Sequence, residues 1–464
     1  MKQLVSYLIK KRKGLYFFLI FVLSFNMFYS ITVSAASKED VDGILSNMPT
    51  EIWPQAPEIT SEAAILMEPE SGTILYAKNA TNALYPASTT KLMTALLTLE
   101  NSQMDEVVTY SSTAVLSLEP GSSHIGLKVG EKLTVKDSLY GLLLPSANEV
   151  ANGLAEHVAG NIPAFAEKMN ERAASLGAVN THFSNANGLH DDNHYTCAYD
   201  LALIMQACIQ NPAFMEIDSQ ATYVRKPDSL LNKEIPMGST HKMMRENTEF
   251  YDPDVICGKT GWTQEAGRCL VTYAQRDGFP LICVVMKTED PYQYQDTKTL
   301  LDFGFNNFKK MRASENDPDF EQGQVSSPSP LKLPQKSIAM ATLSSDSSVV
   351  MPNNISFDQV ERTIADESNG QSIITYSLEG YTLGRAALIP SDQTVRNNMF
   401  LSDTNGAQSF PASSGNLFVL NIWVILSIIL ILVAVGIIFI IFIKHRKEQK
   451  IKDRKKEERP RYRY

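Results

Sequence analysis

From Ala63 to about Lys310, apolar residues recur densely, and their period switches between that of strands and that of helices. Ala63-Ala64-Ile65-Leu66-Met67, a Glu70-Ser71-Gly72 turn and Thr73-Ile74-Leu75-Tyr76 predict a hairpin. Leu92, Met93, Leu96, Leu97 and Leu99 fall on one helix face. Val135 to Leu144 and Val150 to Val158 predict two more helices around a Pro-Ser-Ala-Asn break at Ser146, and Ala164 to Leu176 and Tyr199 to Gln210 a further two. Arg268 to Gln275 and Leu281 to Lys287 read as strands joined by Arg276-Asp277-Gly278, and Thr297 to Phe305 returns to helix. Strands at both ends with helices between predict one sheet closed by both termini of the domain, plus a helical subdomain.

Beyond this stretch the pattern breaks up. Glu315 to Lys336 carries Pro318, Pro328, Pro330 and Pro334 among serines and reads as a linker. Ser337 to Leu343, Ile373 to Leu378 and Ala386 to Pro390 are short β-like pieces, which predict a small β-rich domain over residues 337–392. Residues 393–416 are rich in Ser, Asn and Gly and read as a stalk. Residues 417–443 are apolar except for Asn421 and Ser427. As a helix, that run is about 40 Å long, enough to span a bilayer with tilt.

At the other end, Lys10 to Lys13 followed by an apolar run and Val33-Ser34-Ala35 predict a cleaved signal peptide over residues 1–35. Residues 444–464 hold 11 Lys or Arg against 4 Asp or Glu, which predicts a cytoplasmic tail. The expected location is the cell membrane, with a single span and an extracytoplasmic body. The overall charge of −9 combines +5 in residues 1–35 and +7 in residues 444–464 with −21 between them. So acidic a body argues against nucleic acid as a partner, and no G-x-x-x-x-G-K-[ST] string points to ATP chemistry. The five cysteines, Cys197, Cys208, Cys257, Cys269 and Cys283, match no zinc spacing and read mostly as small buried residues, with room for one disulfide at most.

The candidate chemistry sits in three short motifs in one order: Ser88-Thr89-Thr90-Lys91, Ser146-Ala147-Asn148 and Lys259-Thr260-Gly261. Two other S-x-x-K strings occur, Ser239 to Lys242 and Ser329 to Lys332, so order and setting carry the information rather than any one string. Ser88 opens an apolar helix, whose N-terminus favours developing negative charge. Lys91 lies one turn on, on the same face. It would act as base if burial or a second cation, such as Lys259, lowered its pKa from about 10.4. Ser146 is placed to relay a proton and Asn148 to hold a substrate amide. Lys259 offers positive charge, Thr260 a hydroxyl and Gly261 room for a substrate backbone, on what reads as an edge strand.

Together the motifs resemble the penicillin-recognising serine hydrolases, whose signature is S-x-x-K, S-x-N and K-[ST]-G in that order. The flanks narrow the likeness: Tyr85-Pro-Ala-Ser-Thr-Thr-Lys-Leu-Met-Thr-Ala95, Gly121-Ser-Ser123, Asn185-Ala-Asn-Gly-Leu189, Lys259-Thr-Gly-Trp-Thr263 with Ala266-Gly267, and Leu300-Leu-Asp-Phe-Gly-Phe305. These resemble the low-molecular-mass penicillin-binding proteins that are serine-type D-alanyl-D-alanine carboxypeptidases. The resemblance implies an α/β (α+β) β-lactamase-like or penicillin-binding-protein-like catalytic domain over residues 60–310, with a helical subdomain. A small β-rich domain and a C-terminal transmembrane helix would follow.

It also implies Ser88 as the acylated nucleophile, Lys91 as base and Ser146 as the third catalytic residue. Asn148, Lys259, Thr260 and Gly261 would bind substrate, with Lys259 and Thr260 on its terminal carboxylate. The backbone N–H groups of Ser88 and Trp262 would form the oxyanion hole. The implied partners are peptidoglycan stem peptides ending in D-Ala-D-Ala, and β-lactams as covalent inhibitors; no metal or cofactor is implied. Ala147 departs from the family's usual glycine, and a full span departs from the amphipathic anchor of many relatives.

Three other readings compete. A class A β-lactamase would carry an E-x-x-L-N string between Ser146 and Lys259, where the nearest approach is Asp228 to Asn232. A membrane β-lactam sensor would carry a signalling domain, and the tail is short. A zinc peptidase would need H-E-x-x-H, whereas His190-Asp-Asp-Asn-His194 reads as a loop.

Overall fold

The computed structural model describes residues 38–46, 52–317, 341–344, 347–366 and 372–390. The expected signal peptide (1–35), most of the linker, the stalk (393–416), the span (417–443) and the tail (444–464) lie outside the described residues. Among the described residues no helix is long and apolar enough to cross a membrane.

The strands, in chain order, are β1 (Ala63–Met67), β2 (Ile74–Lys78), β3 (Val107–Thr109), β4 (Lys132–Thr134), β5 (Thr222–Arg225), β6 (Ile235–Gly238), β7 (Val255–Thr263), β8 (Gly267–Arg276) and β9 (Phe279–Thr288). Five of them form one antiparallel sheet in the order β2-β1-β9-β8-β7. The expected closure by both ends of the domain is therefore present: β1 pairs with β9, and the outer strands are β2 and β7.

This sheet is covered on both faces, so β1 (Ala63–Met67) and the stretch Leu281–Met286 of β9 are apolar at every position rather than alternately. Ile282, Val284 and Met286 of β9 face one core, with Leu92, Leu96, Leu201 and Met205 of the helices Lys91–Asn101 and Ala198–Ile209. Leu281, Cys283 and Val285 face the other, with Leu300, Leu301 and Phe303 of the helix Tyr292–Asn307. A side chain of this size contributes about 1.5–3 kcal/mol when fully buried. The helix Tyr292–Asn307 crosses so close that a Cβ on Gly304 would lie 2.6 Å from Leu281 and 2.8 Å from Leu66. It starts five residues before the apolar pattern predicts, because Gln293 and Asp296 are buried polar residues there.

The helical subdomain contains the helices Val135–Leu143, Asn148–Ala159 and Ile162–Ser175, with the ribbons β3-β4 and β5-β6 at its margins. Two of its helix starts are capped by side chains: Thr134 accepts from the Asp137 N–H at 3.0 Å, and Asn161 from the Ala164 N–H at 2.8 Å. Gly160, at φ +80°, ends the helix Asn148–Ala159 in a left-handed cap.

A second antiparallel sheet follows, from β10 (Phe308–Arg312), β11 (Ala341–Leu343), β12 (Ser348–Pro352), β13 (Glu361–Asp366), β14 (Ser372–Leu378) and β15 (Tyr381–Pro390). Its order is β10-β12-β15-β14-β13, with β11 also on β15. The sequence begins this region at Ser337, yet the sheet takes its first strand from Phe308–Arg312, upstream of the proline-rich segment. That strand continues directly from the helix Tyr292–Asn307 and pairs through Phe308↔Pro352 to Arg312↔Ser348. Trp53 packs against the core under the helix Tyr292–Asn307 and against that of the second sheet, with ring centroids 5.0 Å from Phe308 and 5.4 Å from Tyr381.

Candidate active site

The nucleophile motif sits where a 3-10 turn, Ala87–Thr90, runs into the helix Lys91–Asn101. Thr89 and Thr90 hydroxyls donate to the carbonyls of Pro86 and Ala87 at 2.8 Å and tie the turn down. Ala87 is held at φ +48°, and Ser146, in the break before the helix Asn148–Ala159, at φ +65°. Side chains rarely adopt that conformation, and both instances flank the candidate chemistry. Two glycines let the backbones close up. A Cβ on Gly188 would stand 1.9 Å from the Ala87 carbonyl oxygen, and one on Gly261 2.7 Å from that of Pro86 and 3.2 Å from the Ser88 nitrogen. β7 therefore brings Lys259-Thr260-Gly261 directly against the Ser88 turn, as the edge-strand reading expects.

The three motifs converge. Lys91 is fully buried, and its Nζ donates to Asn148 Oδ1 at 2.6 Å and to the Asn187 carbonyl at 2.6 Å; Ser88 Oγ lies 2.9 Å away. A neutral amine has two N–H donors and one lone pair. Two acceptors take the donors, and the lone pair is left for the Ser88 hydroxyl. Burial, and then the Lys259 charge, push the Lys91 pKa well down, against an opposing pull from Glu149. The tuning expected of Lys91 thus has both proposed causes, with burial the larger.

Lys259 is fully buried too, and its Nζ donates to the Thr260 carbonyl at 3.1 Å. Burial lowers its pKa to about 8, and the charge of Asp218 opposes that. Asp218, itself buried, accepts from the Gly258 N–H at 3.0 Å.

A cavity of about 300 Å³ opens over Ser88 and is lined also by Ser123, Ser146, Thr260, Gly261 and Trp262. Larger cavities, of about 700 and 580 Å³, lie toward the second sheet and not beside Ser88. Ser146 Oγ is buried with no hydrogen-bond partner among the described residues. Thr260 and Thr240 hydroxyls are 2.6 Å apart. Asn148 turns its side-chain carbonyl oxygen to Lys91, and Lys259 is not among the residues that line the cavity.

Several neighbours, two of them inside flanking strings already singled out, had no role assigned from the sequence. Asn187 supplies a carbonyl to Lys91, and its side chain donates to Asn152 Oδ1 at 3.0 Å. Glu149 Oε1 accepts from the Ile125 and Gly126 N–H groups at 2.7 and 3.1 Å, while the Asn148 N–H donates to the Ser123 carbonyl at 2.8 Å. These two residues pin the loop that roofs the cavity. The Gly121-Ser-Ser123 flank and the acidic residue after S-x-N are the sequence signals that point to it. Lys242, Arg268, Asp290, Gln293 and Tyr294 line the mouth. His194 is buried, 2.7 Å from Thr90 Oγ1, and burial lowers its pKa to about 4. It braces the nucleophile turn, and the described residues hold no cluster of three or more metal-ligating side chains. All five cysteines are buried and free.

A family model described as D-alanyl-D-alanine carboxypeptidase matches residues 50–290, which is just over half of the chain and contains all three motifs. The chain belongs to this family. Among relatives of this D-alanyl-D-alanine carboxypeptidase family, the D-alanyl-D-alanine carboxypeptidase DacF of Bacillus subtilis (strain 168) is 30% identical over 316 residues, 67% of this chain and 77% of that protein. The crystal structure of penicillin binding protein 5 from Haemophilus influenzae superposes with a TM-score of 0.58 at 27% identity, over 72% of this chain and 98% of that one. The Streptomyces K15 DD-transpeptidase superposes with a TM-score of 0.50 at 29% identity, over 54% and 99%. The mixed α/β fold of one sheet between helices is that of the penicillin-binding proteins, as the motifs imply.

Proposed function

We propose that this protein, a serine-type D-alanyl-D-alanine carboxypeptidase by family, removes the terminal D-alanine from peptidoglycan stem peptides through an acyl-enzyme on Ser88. The observation that carries the mechanism is the Lys91 amine, buried, depressed in pKa and 2.9 Å from Ser88 Oγ. Neutral Lys91 takes the Ser88 proton as Oγ attacks the penultimate carbonyl. The N–H groups of Ser88 and Trp262 receive the oxyanion. Ser146, whose hydroxyl is free among the described residues, passes the proton to the leaving D-alanine amine. Water then releases the shortened stem and restores Ser88. β-Lactams acylate the same hydroxyl.

The test uses a fluorescent penicillin and diacetyl-Lys-D-Ala-D-Ala, with the wild type beside Ser88→Ala. Labelling and D-alanine release both vanish in the variant if the reading holds. Wild-type labelling without release contradicts a carboxypeptidase and favours a sensor. A large product fraction transferred to added glycine would make an amine, not water, the acceptor.

The apolar run 417–443 and the basic tail after it support a single membrane span with the catalytic domain outside. Extraction at alkaline pH checks this: the full chain stays with membranes, and a chain ending at Ser414 is released.

A further inference from the structure

One face of the helix Asn148–Ala159 serves Lys91 twice. Asn148 and Asn152 lie about one turn apart and so share that face. Asn148 gives Lys91 one acceptor directly. Asn152, fully enclosed at 2% exposure, reaches the other acceptor, the Asn187 carbonyl, through the Asn187 side chain, whose Nδ2 donates to Asn152 Oδ1 at 3.0 Å. The partners fix which way both amides point. Asn187 Oδ1 accepts from the Leu189 N–H at 2.8 Å, and Asn152 Nδ2 donates to the Ala114 carbonyl at 3.4 Å and to Ser117 Oγ at 3.3 Å. The turn that holds Asn187 is bonded to itself: Asn185 Oδ1 accepts from the Gly188 N–H at 2.7 Å, and Asn185 Nδ2 donates to the Leu189 carbonyl at 3.0 Å. Its Ala186 carbonyl accepts the Thr94 hydroxyl at 2.6 Å, one turn beyond Lys91. Asn152 ties this turn to the helix that carries Asn148.

We infer that Asn152 is a positioning residue for the base: by holding Asn187 it fixes the second acceptor of Lys91, and with it the direction of the lone pair that faces Ser88 Oγ. This rests on the acyl-enzyme reading above. A neutral amine with both N–H directions fixed has its lone pair fixed as well. Asn152 does not line the cavity over Ser88, so its effect passes through Asn187 and Lys91. Without it, Asn187 Nδ2 becomes a buried donor with no partner, and the turn shifts to satisfy it. The Asn187 carbonyl then leaves Lys91. A carbonyl favours the ammonium form over the amine, because a charge-assisted bond is the stronger one. Its loss therefore lowers the Lys91 pKa, whereas loss of the Lys259 charge raises it.

The experiment measures the second-order rate of acylation by a fluorescent penicillin, as a function of pH, on the full-length protein. Asn152→Leu and Asn187→Ala cut the same hydrogen bond from its two ends. Each is expected to slow acylation about 30-fold, the effect of breaking a buried bond and stranding one partner. The double variant is expected to be no slower than the slower single one, because the bond is already gone; independent losses would multiply to roughly 10³-fold. In all three the acid limb moves to lower pH, which a general loosening of the structure does not bring about. Should Asn152→Leu fail to fold, Asn152→Ser, too short to reach Asn187, takes its place in the cycle. A rate within about threefold of wild type in either single variant, losses that multiply, or an acid limb that stays in place overturns the inference and leaves the acyl-enzyme reading standing. A wild type that penicillin does not label overturns the Ser88 reading first, and this inference with it.

Discussion

Lys91 and Lys259 at the bottom of the cleft and Lys242 and Arg268 at its mouth carry the same formal charges in opposite surroundings. The first two are fully buried, and burial lowers the pKa of both. The second two lie partly exposed along a cavity wall, against aromatic rings. A buried amine is a poor cation and a good base, because low dielectric penalises its charged form. A half-exposed cation keeps its hydration and its charge, and so suits recognition of an anion. One cleft thus sorts its basic residues by depth, with buried amines below and half-exposed cations above.

The sharpest way to break this division is Lys91→Arg. A guanidinium stays protonated, so no lone pair faces Ser88, and kcat is expected to fall about 10³-fold or more in steady-state D-alanine release. A variant of near-normal rate would remove the base assignment.

The pH profile of kcat/KM tests the same division next. Lys91 must be neutral and Lys259 charged, so the profile is a bell whose two limbs belong to the lysine pair. Activity rises with pH through the depressed Lys91 value, far below that of an ordinary lysine, and falls again near the Lys259 value of about 8. Lys259→Gln removes a cation that disfavours protonated Lys91, so the acid limb moves to higher pH. An acid limb that does not move would uncouple the two lysines. Asp218→Asn has a smaller effect of opposite origin: it removes the anion that sustains the Lys259 charge, so the alkaline limb moves to lower pH.

Salt gives the smallest effect and separates the two depths. Raising ionic strength from about 0.01 M to about 1 M shortens the screening length from about 30 Å to about 3 Å. KM for the anionic peptide is expected to rise about threefold, while kcat holds, since the mouth is screened and the interior is not. A kcat that falls with KM would count against the separation.

How much of this was legible depends on distance along the chain. Ser88 and Lys91 lie one turn apart, so their pairing follows from helix geometry alone. The convergence of Ser146, Asn148 and Lys259 was readable only through the order of the three motifs. The five helices predicted between Leu92 and Gln210 are present, while the short helix Ser112–Leu116 has too few apolar positions to show a period. The period shows no strand at Phe308–Arg312, where Phe-Lys-Lys-Met-Arg does not alternate and only pairing with β12 makes it one. It also failed for Arg268 and Gln293. Arg268 sits at the start of a strand beside a turn and Gln293 at the start of a helix, and neither place has a local sign of the cavity the fold brings to it. Lys242 was visible only as the end of a second, unused S-x-x-K string.

The junction around Trp53 has a consequence for how copies of this protein meet. The catalytic sheet has two outer strands, β2 and β7. On β2, the carbonyl of Leu75 accepts from Trp53 Nε1 at 2.9 Å, and that of Ile74 from the Tyr381 hydroxyl at 2.8 Å. The preceding turn is held as well, by the Thr73 hydroxyl on the Leu383 carbonyl and by Lys310 on Glu68 and Glu70. Unpaired outer strands are templates for edge-to-edge stacking of molecules. With β2 fastened to the second sheet, the bare margin of the catalytic sheet among the described residues is β7, the strand that carries Lys259-Thr260-Gly261. The edge open to a second copy of the chain is thus the one that flanks the cleft, so an extended peptide and a second copy would compete for it.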